Sequence, residues 1–142
     1  MHNLNRFLDA QDTDYACALS EIKSGRKHNH WMWYIFPQIK GLGYSSNANF
    51  YGISNFVEAK EYISHEILGA RLIEISNALL KLEENDAKKI FGHPDNLKLK
   101  SCMTLFSEVS DNPVFLSILK KYFNGNKDAK TIEILGSSLH KE

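Results

Sequence analysis

A run of basic and aromatic residues in the first third of the chain carries the residue types best suited to hold a planar, charged ligand. Residues 26–36 read RKHNHWMWYIF, and two loop glycines, Gly41 and Gly43, follow. Trp31 and Trp33 could stack on a base or a nicotinamide-like ring, and exposed amides near the glycines could approach a phosphate. The ligand-binding residues predicted from this segment are His30, Trp31, Trp33, Gln38, Gly41 and Gly43. The alternative is that the aromatic side chains belong to the hydrophobic core.

Glu58 is the first candidate for acid–base chemistry. On a helix it would have Asn55 and Tyr62 as near neighbours, an apolar setting that favours service as a general base. Asn55 and Glu58 also have the spacing of a capping box, in which the two residues satisfy the first amides of a helix. The catalytic and the capping roles are compatible.

Asp95 and Lys98 form a second polar pair, three residues apart. We predict that Asp95 assists proton transfer and that Lys98, together with Arg71, binds a diphosphate. The alternatives are that Asp95 caps the N-terminus of a helix and that Lys98 is a solvated surface cation.

The histidines show no pattern of metal ligation. His28 and His30 would diverge on a helix, His65 and His93 are isolated, and no paired cysteines occur. The prediction is therefore a site without a metal or a cofactor.

The balance of charges restricts the classes of partner that the protein can attract. The 142 residues carry 17 Lys and Arg against 17 Asp and Glu, a formal net charge of +0, so no long-range field attracts nucleic acid or an anionic membrane. Nucleic acid could bind only through a local patch, and the expected partner is a small nucleotide-like molecule. The N-terminal residues lack the pattern of a secretory signal, which predicts a cytoplasmic protein. The sequence leaves the oligomeric state open.

The hydrophobic periodicity is helical along nearly the whole chain. Its strongest stripe joins Leu68, Leu72, Ile75, Leu79 and Leu82, in steps of four and three. No alternation of strands and helices is visible, so residues 1–142 are predicted to form a single compact all-α domain of about seven helices.

Several helix boundaries follow from local signals. A short first helix is expected to end near Asp12, and Asn29 is expected to cap a helix over the aromatic run that Pro37 ends. The stretch 38–49 is rich in Gly, Ser and Asn and predicts a loop.

Several sequence blocks resemble the bacterial family known as domain of unknown function 1810. The blocks are GRKxxHWMWYIFPQ followed by GLG, then EAKEYI, LGxRL, IFGxPD and MTLF. The resemblance spans nearly the whole chain and implies a compact all-helical domain without supplying an activity.

The chain is also similar, more weakly, to the NADAR family of helical N-glycosidases, which act on ADP-ribosyl and related N-glycosides. The features carrying this similarity, in order along the chain, are Glu58, the Asp95 and Lys98 pair, Met103 and the turn Asn112-Pro113, although Pro94 replaces the tryptophan expected beside the acid. The similarity implies an N-glycosidase in which Glu58 and Asp95 are catalytic.

Two functions from different classes follow. The first is a nucleotide-like ligand pocket, with hydrolysis of an ADP-ribosyl N-glycoside as its chemistry. The alternative is a noncatalytic interaction module whose aromatic segment forms a groove for a partner helix or peptide.

Overall fold

Helices form almost all the regular structure in the computed structural model, which describes residues 2–141 and the side chains of residues 2–137. The nine helices in this part of the chain are α1 (Asn5–Lys23), α2 (Met32–Ile35), α3 (Ser46–Tyr51), α4 (Phe56–Ser64), α5 (Leu68–Lys81), α6 (Ala87–Phe91), α7 (Asp95–Val109), α8 (Val114–Phe123) and α9 (Ala129–Lys141). The predicted all-α class is confirmed, with more helices than the seven or so expected.

Two central helices organise the packing. α5 packs against α1, α4 and α8, and α7 packs against α4, α6, α8 and α9. The apolar stripe predicted on α5 is buried at Leu68, Leu72, Ile75 and Leu79. Removal of this apolar surface from water holds the surrounding helices in one core.

Aromatic side chains link α1, α4, α7 and α8 inside that core. The ring of Tyr62 lies 5.1 Å from that of Phe7, edge to face, and 5.3 Å from that of Phe106. Phe106 in turn lies 5.8 Å from Phe115. The buried hydroxyl of Tyr62 accepts a hydrogen bond of 2.9 Å from Gln11 Nε2, so its polar atom is satisfied.

The prediction that the first helix ends near Asp12 is wrong, because α1 continues to Lys23. The polar residues that suggested a break in the helix form tertiary contacts. Gln11 is buried and donates to the carbonyl of Tyr34 at 2.8 Å, and Asp12 forms an ion pair with Arg71 at 3.3 Å. Gly25, with φ +87°, then reverses the chain just beyond the helix end.

The aromatic run forms the short helix α2, as predicted, but Asn29 does not cap it. Trp31 precedes the helix, and the Asn29 side chain donates instead to Glu21 at 2.5 Å. The predicted loop over 38–49 is only partly a loop, since α3 begins at Ser46. The Ser45 hydroxyl caps α3 by accepting from the amide of Ala48 at 3.1 Å.

Asp95 is the first residue of α7, and Pro94 precedes the helix without a side-chain cap. The alternative that Asp95 is an N-cap is therefore wrong. Its carboxylate is engaged by Lys27 and Lys98, two lysines from different parts of the chain.

Candidate functional site

A cavity of about 270 Å³ opens beside the second tryptophan, between the segment around α2 and α3 and the first turns of α7. We call it the Trp33 pocket. Its lining residues are Trp33, Gln38, Ile39, Leu42, Gly43, Ala48, Tyr51, Gly52, Pro94, Leu97, Lys98, Ser101 and Asp128. Aromatic, aliphatic, amide, hydroxyl and charged groups thus converge on one concave surface, as they do in sites for small molecules.

A parallel bridge between Ile39 and Ile53 fixes one wall of the Trp33 pocket. The amide of Ile53 donates to the carbonyl of Gln38 at 2.9 Å, and the amide of Lys40 donates to the carbonyl of Ile53 at 2.7 Å. Gly52 lies at the crossing, where a Cβ atom would stand only 2.6 Å from the carbonyl oxygen of Ala48 and 2.8 Å from Lys40 Cβ. This close approach of two backbones requires glycine.

A chain of charges and rings joins the N-terminus of α7 to the two tryptophans. Asp95 accepts from Lys27 at 2.9 Å through one carboxylate oxygen and from Lys98 at 3.1 Å through the other. The Lys27 ammonium lies 5.1 Å from the Trp31 ring, and the Lys98 ammonium lies 3.9 Å from the Trp33 ring. Both contacts are cation–π interactions, so Asp95 holds each lysine over an indole.

Asp95 is thereby stabilised in its charged form. Burial raises the pKa of this carboxyl, and the hydrogen bonds and charges of Lys27 and Lys98 outweigh burial, so the pKa lies below its usual value. Asp95 itself does not line the Trp33 pocket. Asp95 instead positions Lys98 through their ion pair.

The two tryptophans have different environments. Trp31 is 1% exposed and its indole Nε1 donates to Glu21 Oε1 at 2.9 Å, so it belongs to the core. Trp33 is half-buried and lines the pocket. Of the two indoles predicted to stack a ligand, Trp33 is therefore the accessible one.

Glu21 anchors the segment that leads into α2. Its carboxylate accepts from the amides of His28 at 2.7 Å and Asn29 at 3.0 Å, from Trp31 Nε1, and from the Cys17 thiol at 3.1 Å. Burial raises the pKa of this carboxyl, but the hydrogen bonds outweigh burial and hold the pKa well below the usual range. The segment before Trp33 is thus fixed by a single buried carboxylate.

This arrangement makes stability depend on acid pH. Because the pKa of Glu21 is lower in the folded chain than in the unfolded chain, its contribution is complete above the unfolded value of about 4.3 and is lost as pH falls below it. We expect the free energy of unfolding in urea to fall more steeply below about pH 4.3 in the wild type than in Glu21→Gln. Parallel pH profiles for the two proteins would contradict this role of Glu21.

Asp128 is held rigidly at the start of α9. Its Oδ2 accepts from the amide of Thr131 at 3.0 Å and from the Thr131 hydroxyl at 2.6 Å. Its own amide donates to the buried Thr104 hydroxyl of α7 at 2.9 Å. Asp128, one of the residues lining the Trp33 pocket, is therefore held in a defined conformation.

The structure brings together four of the predicted site residues, namely Trp33, Gln38, Gly43 and Lys98. His30 is exposed and Gly41 belongs to the same loop as Gly43, but neither lines the Trp33 pocket. Gly41 has φ +110°, and a Cβ there would lie 3.3 Å from Ile134. Its backbone conformation is the feature that calls for glycine.

Arg71 does not join Lys98. Its guanidinium contacts Asp12 at 3.3 Å and lies 5.3 Å from the Tyr15 ring, and Arg71 does not line the Trp33 pocket. The structure therefore does not bring Arg71 to the Trp33 pocket beside Lys98, as the predicted diphosphate clamp requires. The spacing of α5 and α7 along the chain could not show that the two cations lie apart.

Glu58 also lies outside the Trp33 pocket. Its side chain is 2% exposed and forms two contacts with Arg6, from Nη1 to Oε2 at 3.0 Å and from Nη2 to Oε1 at 3.1 Å. Oε1 also accepts from the amide of Ser54 at 2.7 Å, and the Glu58 amide donates to Asn55 Oδ1 at 2.9 Å. The helix-capping interpretation is confirmed at Asn55, and the Glu58 carboxylate binds α1 to α4.

The sequence indicated Lys98 on α7 but not Ser101, Asp128 and Tyr51 among the residues that line the pocket. Ser101 lies three residues after Lys98 and Asp128 comes just before α9, and neither belongs to a recognisable binding motif in the sequence. Tyr51, at the end of α3, lies just beyond the predicted loop and has no sequence signal of its own. The signal that could have pointed to Ser101 is its position on the same helical face as Lys98.

Among the described residues, no group of three or more His, Cys, Asp or Glu side chains is placed to hold a metal ion. None of the helices in residues 2–141 has the length and apolar character needed to cross a membrane.

The comparisons with known proteins identify the family. The sequence profile described as "Protein of unknown function (DUF1810)" matches residues 1–135. The crystal structure of the conserved hypothetical protein Rv1873 from Mycobacterium tuberculosis is 43% identical, with a TM-score of 0.92 over 94% of this chain and 96% of that one. A search of curated proteins found no match. The chain belongs to the DUF1810 family.

Proposed function

We propose that this protein binds a small nucleotide-like ligand in the Trp33 pocket. The observation that carries the proposal is the Lys98 ammonium, held by Asp95 at 3.1 Å and lying 3.9 Å from the Trp33 ring in the wall of a cavity. A fixed cation beside an aromatic face suits a molecule that combines an anion with a planar ring.

The remaining lining residues fit the same class of ligand. Tyr51, Leu42 and Ile39 provide apolar surface for a ring, and Gln38 and Ser101 provide hydrogen-bonding groups. The cavity of about 270 Å³ lies just below the ~300–1,000 Å³ usual for drug-sized ligands. It would therefore enclose a compact nucleotide, or one end of a longer one such as ADP-ribose.

Hydrolysis of an ADP-ribosyl N-glycoside is the finer proposal for the same site, following the similarity to N-glycosidases. In that reaction the oxygen of a water molecule bonds to C1′, and the C1′–N bond breaks with its electron pair going to the nitrogen. With NAD as substrate, the pyridinium nitrogen leaves as neutral nicotinamide and the proton of the water passes to solvent. Release of nicotinamide from NAD by the purified protein measures it. Binding of NAD without release would limit the function to binding.

A thermal-shift screen tests the binding proposal. The panel is NAD, ADP-ribose, nicotinamide riboside, GMP and AMP, and a ligand at about 100 times its Kd adds about 2.7 kcal/mol of stability. We expect at least one of these compounds to raise the Tm of the wild type, and Trp33→Ala to remove that shift because it removes the ring.

Trp33→Phe is the matched control, since it keeps an aromatic face and should retain most of the shift. Each variant is compared with and without ligand, so a change in its basal Tm does not affect the result. No shift with any compound, or a shift that Trp33→Ala leaves intact, would contradict the proposal.

Flat curves would favour the alternative, a protein-interaction module. The buried Trp31 cannot form the groove expected for it, but Tyr44 is 86% exposed and Phe50 57% exposed in the segment beside the Trp33 pocket. A pull-down partner lost in Tyr44→Ala and Phe50→Ala would support that function.

A further inference from the structure

The Trp33 pocket has a cationic end and an anionic end, separated along α7. Lys98, Ser101 and Thr104 follow at intervals of three residues and lie on one side of the helix. Lys98 and Ser101 line the cavity, and Thr104 holds the backbone of Asp128. The rise along six residues of a helix places the backbone of Thr104 about 9 Å further along α7 than that of Lys98, and Asp128 lies beside Thr104.

The cationic end carries more positive than negative charge. Lys27 and Lys98 share the single carboxylate of Asp95, and the side chains of all three are at most one fifth exposed. Lys98 is the member of this group that lines the cavity. An anionic group entering here would complete the coordination of the Lys98 ammonium, which can donate three hydrogen bonds.

The anionic end is an acceptor with room for another donor. Asp128 Oδ2 takes both hydrogen bonds from Thr131, so Oδ1 has no hydrogen bond within the described part of the chain. Because Thr131 and Thr104 fix the residue, the carboxylate is already oriented before a ligand binds. Such an oxygen would accept from an N–H group of the ligand.

We propose, resting on the function proposed above, that the ligand is a nucleoside monophosphate, or that moiety of a larger nucleotide, whose base carries an exocyclic amine. Its phosphate binds Lys98, its base contacts Trp33 and its amine donates to Asp128. In an extended mononucleotide the phosphate and the amine are at opposite ends, as Lys98 and Asp128 are in the pocket.

Calorimetric titration with three compounds tests this orientation. AMP has both groups, adenosine lacks the phosphate, and IMP has a carbonyl oxygen where AMP has the amine. We expect AMP to bind about tenfold or more tightly than adenosine and than IMP, since each loss removes a charge-assisted hydrogen bond.

Two variants test which residue binds the phosphate and which binds the amine of the ligand. Lys98→Met should weaken AMP about tenfold and change adenosine by less than about twofold. Asp128→Asn keeps a helix-capping oxygen but adds a donor, so it should reduce or reverse the preference for AMP over IMP. Lys120→Met and Asp111→Asn, at exposed positions outside the Trp33 pocket, are the matched charge controls and should leave the titrations unchanged.

The outcomes separate the two proposals. If AMP, adenosine and IMP bind equally and lose affinity only in Trp33→Ala, the orientation is overturned and the nucleotide-like pocket stands. If none of the three binds, and nicotinamide riboside, which has neither a phosphate nor an exocyclic amine on its base, is the compound in the screen that binds through Trp33, the mononucleotide assignment is likewise overturned. If nothing binds, both proposals fail.

Discussion

Glu21→Ala lowers the free energy of unfolding by about 3–5 kcal/mol in urea titrations at pH 7. The substitution removes the acceptor of Trp31 Nε1 and of the amides of His28 and Asn29. Each buried donor left without a partner costs about 1–3 kcal/mol. Because the buried indole cannot reach water without leaving the core, we expect the upper part of that range for Trp31.

Glu66→Ala is the control, because Glu66 is exposed and its loss should change stability by less than about 0.5 kcal/mol. Glu21→Gln should fall between the two, since its single carbonyl oxygen replaces only part of the acceptor set. A loss below about 1 kcal/mol in Glu21→Ala would show that the segment before α2 is held by other contacts.

Glu58→Ala lowers the free energy of unfolding by about 3 kcal/mol, the lower end of the range for breaking a buried ion pair, because the Arg6 guanidinium loses its carboxylate but keeps its hydrogen bonds to backbone carbonyls. The carboxylate has two contacts with Arg6 and one with the amide of Ser54. Arg6→Met should be similarly costly, since it removes the ion-pair partner of a Glu58 side chain that is only 2% exposed.

A double-mutant cycle measures this coupling. The double variant Arg6→Met with Glu58→Ala should be more stable than the sum of the two single losses predicts, by about 1–3 kcal/mol. Strict additivity would mean that the two side chains do not stabilise each other. Such additivity would also leave Glu58 as a candidate general acid or base.

The sequence predicted the helices well where their signals were local. The stripe of Leu68, Leu72, Ile75 and Leu79 depends on a periodicity that packing preserves, and α5 carries it as expected. The sequence-based prediction was wrong near Asp12. The polar residues there, which usually interrupt a helix, form contacts with Arg71 and Tyr34, more than twenty residues away.

The sequence predicted only part of the candidate site, again because contacts between distant segments place some of its residues. Trp33, Gln38 and Gly43 come from one segment, and their residue types are those from which ligand binding is predicted. Lys98 was singled out as a phosphate-binding cation, but its partner was expected to be Arg71. The position of Asp128 depends on the hydrogen bond from α9 to Thr104 in α7, which no pattern within either helix predicts.

The tryptophans show the limit of residue type as a guide. Trp31 and Trp33 are two positions apart in the same aromatic run, yet one bonds to Glu21 in the core and the other lines the Trp33 pocket. On a helix, side chains two positions apart point in different directions. The sequence predicted an accessible indole without identifying which of the two it would be.

Titration of the protein with ADP-ribose, followed by tryptophan fluorescence, is the most direct test of nucleotide binding in the Trp33 pocket. The signal of Trp33 is obtained by subtracting that of Trp33→Phe, in which the buried Trp31 remains. We expect a saturable change in the Trp33 signal that excess AMP reverses. Calorimetric binding of ADP-ribose that leaves the Trp33 signal unchanged would contradict a ligand site at Trp33.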